Sequence, residues 1–331
     1  MKHLNRETEF KNRNYRCKIC DYNGNFKFFI ARDYNAKNPG KFRYYICPKC
    51  GCMQIGKVPG NLSDYYGDLY YSFSGTKQVN VIQKLVQTFK IKRDIYEMGL
   101  GGFIGMCMHI FVPRPSYGII YSLIKPESNI LDVGCGDGYF LSILEKLGQK
   151  KLCGCDRFIT EITERSNQSI KIIKGVIDDC DGQYDLIMFL HSFEHMENPQ
   201  ETLRSAYKKL NDNGAIVISI PIAGSNAFDK FGKYWVQLDA PRHLFIHTKK
   251  SIEMMAEKAG LKIERIDYDS TAFQYIGSLQ VMRGQTRKEH RKIRGLIEYA
   301  ILSSIKYNGQ TMEDNKNGRS DQATFVLKKQ S

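Results

Sequence analysis

The sequence predicts an α/β protein in which a doubly wound, mostly parallel sheet follows a small cysteine-containing module. From residue 129 onward, short apolar runs alternate with helical segments; the runs read NILDVG, KLCGCD, IKIIKG, YDLIMFL and AIVISIP. Such alternation is typical of parallel strands joined by crossover helices. Two Cys-x-x-Cys pairs lie within the first 60 residues, and 331 residues suffice for a catalytic domain plus a smaller module.

The connections between the runs predict helices at 138–148, 159–166 and 199–210. SIEMMAEKAG predicts a further helix with a strand after it, and ATFVLKK predicts a late edge strand. The amphipathic run 287–306 predicts a helix with a basic start, and the polar stretch 306–321 predicts a loop. We divide the chain into the cysteine module (1–60), an aromatic and helical connector (61–128) and the α/β domain (129–331).

Positive charge is concentrated at the two ends of the chain. The formal net charge is +14, and residues 1–60 carry 13 Lys and Arg against four Asp and Glu. Basic ends can attract RNA, anionic lipid or a phosphorylated substrate, or they can simply favour solubility. The N-terminus is polar, and the uncharged, glycine-rich stretch 98–112 is shorter than the about 20 residues of a membrane span. We therefore expect a cytoplasmic protein without a signal peptide or transmembrane span.

The two cysteine pairs predict a structural zinc site. Cys17 and Cys20 form the first pair, and Cys47 and Cys50 form the second, 26 residues further along. Paired Cys-x-x-Cys turns form two knuckles that meet tetrahedrally around zinc and leave no ligand position open. Without an export signal, metal-bound thiols are favoured over disulfides. Cys52 is expected to be a bystander.

LDVGCGDGYFL is the strongest motif in the chain. Asp132 ends a strand, and Gly134, Gly136 and Gly138 allow the backbone to approach a ligand closely, because no Cβ intervenes. The helix that follows points its N-terminal N–H groups at the same crevice. A second acidic residue, Asp156, ends the next strand and suits ribose hydroxyls. The spacing matches neither the Gly-x-Gly-x-x-Gly of NAD enzymes nor a P-loop.

These residues resemble the class I S-adenosylmethionine (SAM) dependent methyltransferases, over roughly 129–265 and the final strand near 323–329. The resemblance implies a seven-stranded, Rossmann-like sheet. It also implies that Asp132 and the glycines hold the amino acid end of SAM and that Asp156 holds its ribose. Asp178, or backbone groups near Ile177, is then expected to hold the adenine. The full set of cofactor contacts inferred in this way is Asp132, Gly134, Cys135, Gly136, Gly138, Asp156, Arg157, Ile177, Asp178, Leu190 and His191.

The segment YDLIMFLHSFEHMENP resembles the fourth strand of that family and the loop after it. Its polar residues therefore lie at the carboxyl end of a parallel strand, where open α/β sheets bind ligands. His195 is the first candidate for a general base, since histidine titrates near neutral pH. Glu194 is expected to orient His195 or an acceptor hydroxyl, and His191 to line the methionine side of SAM.

Other interpretations of the same region stay open. His-x-x-Glu-His also matches a zinc-protease motif, but that motif requires a helix, and here an apolar strand leads in. Quinone O-methyltransferases carry a Glu-x-x-Glu-His metal site at this position, so a metal is one alternative, and a purely structural role is another. In WVQLDAPRHLFIHT, Arg242 and His243 are candidates to grip an acceptor phosphate or carboxylate, or are surface residues.

The order of cysteine knuckles, the tyrosine-rich DYYGDLYYSF and the glycine motif resembles bacterial deoxysugar C-methyltransferases and enzymes of surface-polysaccharide clusters. The resemblance implies that the front of the chain covers the acceptor site and that Tyr66, Tyr70 or Tyr71 reaches the acceptor. We therefore predict methyl transfer to a small-molecule or glycan acceptor: a sugar, nucleotide sugar or lipid-linked saccharide. The alternatives are a zinc-ribbon RNA base methyltransferase and a non-catalytic zinc-ribbon binding protein. The 287–306 helix is a candidate for peripheral membrane contact.

Overall fold

The computed structural model describes residues 15–34, 40–66, 118–159, 169–285, 302 and 306–330. Tyr70 and Tyr71, nearly all of the helix predicted at 159–166 and most of the helix predicted at 287–306 lie outside the described residues.

Seven strands form the main sheet, in the order β10-β11-β8-β7-β4-β5-β6. They are β4 (Asn129–Val133), β5 (Lys151–Asp156), β6 (Ile170–Lys174), β7 (Tyr184–Leu190), β8 (Leu210–Pro221), β10 (Leu261–Tyr268) and β11 (Gln322–Lys329). Strands β4 to β8 run parallel, and β11 is antiparallel to both of its neighbours. The predicted doubly wound, mostly parallel sheet is confirmed. Its strand order reverses at β4, which is where open sheets of this kind bind ligands.

Helices precede and connect the strands of this sheet. They are α1 (Gly118–Leu123), α2 (Tyr139–Lys146), α3 (Pro199–Lys209), α4 (Asn226–Phe231), α5 (Lys249–Lys258), α6 (Phe273–Met282) and α7 (Asn308–Lys316). Helix α2 buries one apolar face that includes Leu141 and Leu144. Helix α3 begins at Pro199, whose fixed φ suits a first helical position. Among the described residues, no helix is long and apolar enough to cross a lipid bilayer.

Two expectations about the C-terminal segment were wrong. Strand β11 is not an edge strand, because it lies between β8 and β10 with Ala323–Leu327 buried. An apolar run that is buried on both faces is typical of an interior strand. The stretch predicted as a loop contains α7, which has weak helix-forming residues but is held by Asp314, to which Tyr275 and Asn226 donate hydrogen bonds. Tertiary contacts have overridden local propensity here.

A second sheet, which is antiparallel, packs against the first. It contains β1 (Lys27–Arg32), β2 (Lys41–Ile46) and β3 (Met53–Ile55), and its fourth strand is β9 (Phe245–Ile246), which follows β8 in the chain. One continuous apolar cluster includes residues of both sheets. We call the described residues 15–34 and 40–66 the front module. Because β3 and β9 pair directly, this module is joined to the segment that follows β8.

Candidate active site

A cavity of about 280 Å³ lies at the carboxyl ends of β4, β5 and β7. Its walls include six residues that the sequence singled out as cofactor contacts: Gly134, Asp156, Arg157, Ile177, Asp178 and His191. His195 lines the same cavity, together with Leu62 and Tyr66 of the front module. Asp132 lies in the last part of β4, Cys135, Gly136 and Gly138 belong to the adjoining turn between β4 and α2, and Leu190 is the last residue of β7. The candidate cofactor residues therefore meet at one place.

The turn between β4 and α2 requires its glycines. Gly134 and Gly138 have φ angles of 79° and 73°, in the left-handed region that favours glycine. A Cβ on Gly134 would lie 2.4 Å from the Cβ of Ser192, so no side chain fits there. The backbone N–H groups of Gly134 and Cys135 donate to the carbonyl of Cys155, at 2.7 and 3.2 Å. The turn is thereby fixed against β5, with bare backbone facing the cavity.

Two carboxylates flank this turn in different environments. Asp132 is 3% exposed, and its Oδ1 has no hydrogen-bond partner among the described residues. Burial, with the charge of Asp156 as a smaller cause, raises the pKa of Asp132 to about 7. Asp156 accepts hydrogen bonds from the backbone N–H groups of Gly136 (3.0 Å) and Phe158 (2.8 Å). A buried, unpartnered carboxylate oxygen is costly, and a cationic ligand group would satisfy it. The two carboxylates therefore fit SAM, Asp132 its ammonium group and Asp156 its ribose.

The expected adenine side lies in the turn Ile177–Asp179 after β6. Val176, Ile177 and Asp178 all line the cavity. The carboxylate of Asp179 instead accepts a hydrogen bond from the Val176 N–H at 2.8 Å and stabilises the turn. Both adenine contacts considered from the sequence, the Asp178 side chain and the backbone at Ile177, thus belong to the same wall.

Glu194 lies at the centre of a cluster of three histidines, His191, His195 and His243. It lies in a short 3-10 turn, Phe193–His195, directly after β7, and it is fully buried. Its Oε1 is 3.8 Å from both His191 Nδ1 and His243 Nε2, and neither carboxylate oxygen has a hydrogen-bond partner among the described residues. Burial alone would raise the pKa of Glu194, but the surrounding histidines lower it to about 2. Burial likewise disfavours charged His191, yet Glu194 outweighs this and raises the pKa of His191.

Backbone carbonyls fix the orientation of the two histidines beside Glu194. His195 Nδ1 lies 2.7 Å from the carbonyl oxygen of Arg242, and His243 Nδ1 lies 2.7 Å from that of Gln237. A carbonyl only accepts, so each Nδ1 carries a proton, and in the neutral ring each Nε2 is left as an acceptor. One donor atom each from Glu194, His195 and His243 lies within 4.8 Å of the others, so this set could also hold a cation. The structure thus brings His243, which lies outside the His-x-x-Glu-His motif of residues 191–195, into the histidine cluster.

Arg242 does not face an acceptor, and the expectation that it grips a phosphate or carboxylate was wrong. It is 3% exposed, and its guanidinium donates to Asp239 (2.6 Å) and Asp33 (3.1 Å). It also donates to the carbonyl of Tyr65 at 3.1 Å. These carboxylates raise the pKa of Arg242 although burial opposes this. Arg242 therefore joins the front module to the segment that carries His243.

We expect Arg242→Ala to destabilise the fold by about 3–5 kcal/mol, because it leaves two buried carboxylates without their cation. Arg265→Ala is the matched control, since Arg265 pairs with Asp267 at 2.7 Å with 55% of its side chain exposed. That change should cost about 0–1 kcal/mol. Urea denaturation of the two variants measures the difference, and equal losses would contradict a structural role for Arg242.

Several cavity residues were not anticipated. Ser192 packs against Gly134 and donates its hydroxyl to the carbonyl of Val133 at 2.5 Å. Phe158 stacks on Tyr66 with ring centroids 4.9 Å apart, and the Tyr66 hydroxyl is 3.3 Å from His195 Nδ1. An aromatic residue two positions after Asp156 was the available signal for Phe158. Tyr66, one of the tyrosines expected near the acceptor, does line the cavity, but no local pattern indicated that it would stack on Phe158.

The four cysteines meet in the front module. The Sγ atoms are 3.7 Å apart for Cys17 and Cys50 and 3.4 Å apart for Cys20 and Cys47, and all four lie within 4.8 Å. Zinc–sulfur bonds of about 2.3 Å in a tetrahedron require sulfur separations of about 3.8 Å. The two knuckles have matching backbone bonds: Cys17 N–H to Tyr22 O and Cys47 N–H to Cys52 O, both 3.0 Å. The donor set fits one tetrahedral zinc ion.

Comparison with known proteins agrees with this geometry. Residues 118–266 match the family model Methyltransf_23, a methyltransferase domain. The sheet order, the glycine turn and this match identify the segment as a class I SAM-dependent methyltransferase domain.

Individual relatives match over shorter stretches. The chain is 30% identical over 103 residues to the mitochondrial ubiquinone biosynthesis O-methyltransferase of Saccharomyces cerevisiae, covering 28% of this chain and 33% of that protein. It is 29% identical over 109 residues to the tRNA U34 carboxymethyltransferase of Helicobacter acinonychis, covering 29% and 41%. The matched region thus spans well under half of either relative. One similar structure is a polyketide-synthase O-methyltransferase of Brevibacillus brevis bound to S-adenosyl-L-homocysteine (SAH), with 18% identity, a TM-score of 0.43 and coverage of 77% and 80%.

Proposed function

We propose that the protein is a SAM-dependent methyltransferase that acts on a small-molecule or glycan acceptor, such as a sugar, a nucleotide sugar or a lipid-linked saccharide. The observation that carries this proposal is the buried Asp132 carboxylate with an unpartnered oxygen, placed beside a turn of bare backbone at the sheet's switch point. A cationic nucleoside supplies what that arrangement lacks.

In this proposal the cofactor lies along the cavity. Asp132 and the glycine turn hold the amino acid end, Asp156 the ribose, and the Ile177–Asp179 turn the adenine. His191 lies on the methionine side. Leu62 and Tyr66 cover the cavity from the front module and exclude water.

Bound SAM supplies an activated methyl group on a sulfonium. The chain's own residues prepare the acceptor. His195 removes the proton of an acceptor hydroxyl through Nε2, the nitrogen that does not face Arg242. Glu194, which stays ionised, stabilises the imidazolium that results, and His243 completes the polar wall. Leu62 and Tyr66 hold the acceptor near the cofactor, because displacement requires close alignment of the reacting atoms.

The enclosed position of this cluster favours a small acceptor group over a folded macromolecule. Glu194 is fully buried and His243 is 5% exposed, and of the cluster His191 and His195 line the cavity, so an acceptor group must enter the cavity to reach His195. The relatives point the same way in part, since one is named for ubiquinone biosynthesis and another for a tRNA. An RNA acceptor is the alternative, and we place it second.

We also propose that residues 1–60 form a zinc module, that 61–128 connect it to the methyltransferase domain of 129–331 over the acceptor site, and that the protein works in the cytoplasm. The zinc is structural, since four thiolates leave no position for a substrate.

Purified protein is expected to contain one zinc ion per chain. Elemental mass spectrometry of the protein measures this zinc content. Cys47→Ser should lower the zinc content to near zero and should destabilise the front module, because metal binding and folding are coupled in such sites. Cys52→Ser is the control, as Cys52 is not among the four clustered thiols, and it should retain full zinc. Equal zinc in all three proteins would contradict the assignment.

The acceptor is tested with methyl-labelled SAM and separate pools of nucleotide sugars, lipid-linked glycans and RNA. We expect label in a sugar or glycan pool and none in RNA. Label in RNA alone would overturn the acceptor class while leaving the methyltransferase intact. Repeating the assay with and without added divalent cation distinguishes direct proton removal by His195 from a role of a cation held by Glu194, His195 and His243. We expect the rate of methyl transfer to be independent of the cation.

A further inference from the structure

The second cysteine knuckle lies against the segment that carries His243. Both strands that flank this knuckle, β2 before it and β3 after it, bond to residues 243–248. The hydroxyl of Tyr44, on β2, donates to the carbonyl of His243 at 2.6 Å. On the other side, β3 pairs with β9 in the register Met53 to Ile246.

Two further contacts complete this connection. Thr248 donates its hydroxyl to the carbonyl of Cys50, a knuckle residue, at 2.6 Å. The Ile55 N–H donates to the carbonyl of Leu244 at 2.9 Å, and the Leu244 N–H donates to the carbonyl of Glu194, also at 2.9 Å. A continuous set of hydrogen bonds therefore runs from the front sheet through Leu244 to the turn that holds Glu194.

From these contacts we infer that the Cys47–Cys50 knuckle is the clamp that sets His243 against Glu194, and that Tyr44 is its positioning residue. The inference rests on the proposed function. Tyr44 is fully buried and its ring stacks on Phe29 at 5.7 Å, so its hydroxyl has one fixed direction. His243 Nε2 lies only 3.8 Å from Glu194 Oε1, and a shift of the 243–248 segment would lengthen that separation directly.

The turn between β4 and α2, which is proposed to hold SAM, is held by the main sheet and not by the knuckle. Its backbone donates to Cys155 O on β5, and its carboxylate Asp132 comes from β4, both within the main sheet. Release of the clamp should therefore slow methyl transfer while SAH binding persists. This separation distinguishes a positioning device from a general loss of folding.

Tyr44→Phe removes one oxygen and keeps the ring. We expect kcat to fall about tenfold, the size of effect that one lost hydrogen bond of about 1.4 kcal/mol produces, with SAH affinity unchanged within twofold and zinc still bound. Tyr45→Phe is the matched control, because the hydroxyl of this neighbouring tyrosine accepts a hydrogen bond of 3.4 Å from Arg43, a residue of the same strand and not of the 243–248 segment. It should retain the kcat of the natural protein.

The second readout does not depend on activity. In protein labelled at histidine, the ring resonances of His243 should shift in Tyr44→Phe and should shift further when a chelator removes zinc. The shift should reverse when zinc is restored. Unmoved His243 resonances in both states, or a kcat loss matched by an equal loss of SAH affinity, would overturn the clamp. If the natural protein transferred no methyl group but His243 still responded to zinc, the proposed function would fail and the clamp would stand.

Discussion

Asp132→Asn should weaken SAH binding by roughly 10²–10³-fold, which is the cost expected when one partner of a buried charge pair is neutralised. The same change should make the empty protein more stable. Burial raises the pKa of Asp132 from 3.8 to about 7, so its ionised form is disfavoured in the fold. The penalty grows as the pH rises from about 4 and is complete above pH 7, where it reaches up to about 4 kcal/mol. Asparagine removes it, so the melting temperature should rise by several degrees at pH 8 and hardly at pH 4.

Calorimetric titration with SAH and thermal melts at both pH values measure these two effects. Asp181→Asn is the control, because its side chain is 96% exposed on the same domain, and neither quantity should change. In the natural protein, SAH affinity should fall about tenfold per pH unit below pH 7, since the bound form requires the ionised carboxylate. An Asp132→Asn protein that binds SAH normally would remove the cofactor assignment.

His195→Asn should lower kcat by roughly 10²–10⁴-fold, the usual contribution of a general base, with SAH affinity unchanged within a few-fold. Asparagine can place an amide N–H where Nδ1 donates to Arg242 O, so it keeps the local bond while it removes Nε2. Single-turnover transfer of labelled methyl measures the effect.

His195→Gln separates the two roles of the His195 ring, which are the hydrogen bond from Nδ1 to the carbonyl of Arg242 and the removal of a proton at Nε2. Its longer side chain places the amide near the Nε2 position and gives up the Nδ1 contact, yet an amide cannot take a proton at neutral pH. Both variants should therefore be slow. If His195→Asn kept the natural rate, the base would lie elsewhere in the cluster, with His243 the next candidate.

The sequence was most informative where one residue type satisfies a local physical requirement. The five short apolar runs gave β4 to β8, because parallel strands must bury both faces. Gly134 and Gly138 stood where the backbone takes positive φ, and a Cβ there would collide with Ser192 and Ile172. The paired cysteines likewise predicted a compact cluster, since the spacing of each pair forms the same turn.

Contacts between distant segments were beyond the reach of those patterns. Nothing local to Arg242 indicates that Asp33, more than 200 positions earlier, would neutralise it. His243 lies 3.8 Å from Glu194 although it belongs to a distant segment, one whose strand β9 pairs with the front sheet. The helix α7 forms from poor helix-forming residues because Tyr275 and Asn226 bind Asp314, a tertiary effect with no counterpart in the local sequence.

The most direct test of the cofactor assignment is calorimetric titration of SAH into the natural protein at pH 8, where Asp132 is ionised. One SAH molecule should bind per chain and should be displaced competitively by SAM. Absence of binding heat at this pH, with the protein folded and its zinc in place, would contradict the account.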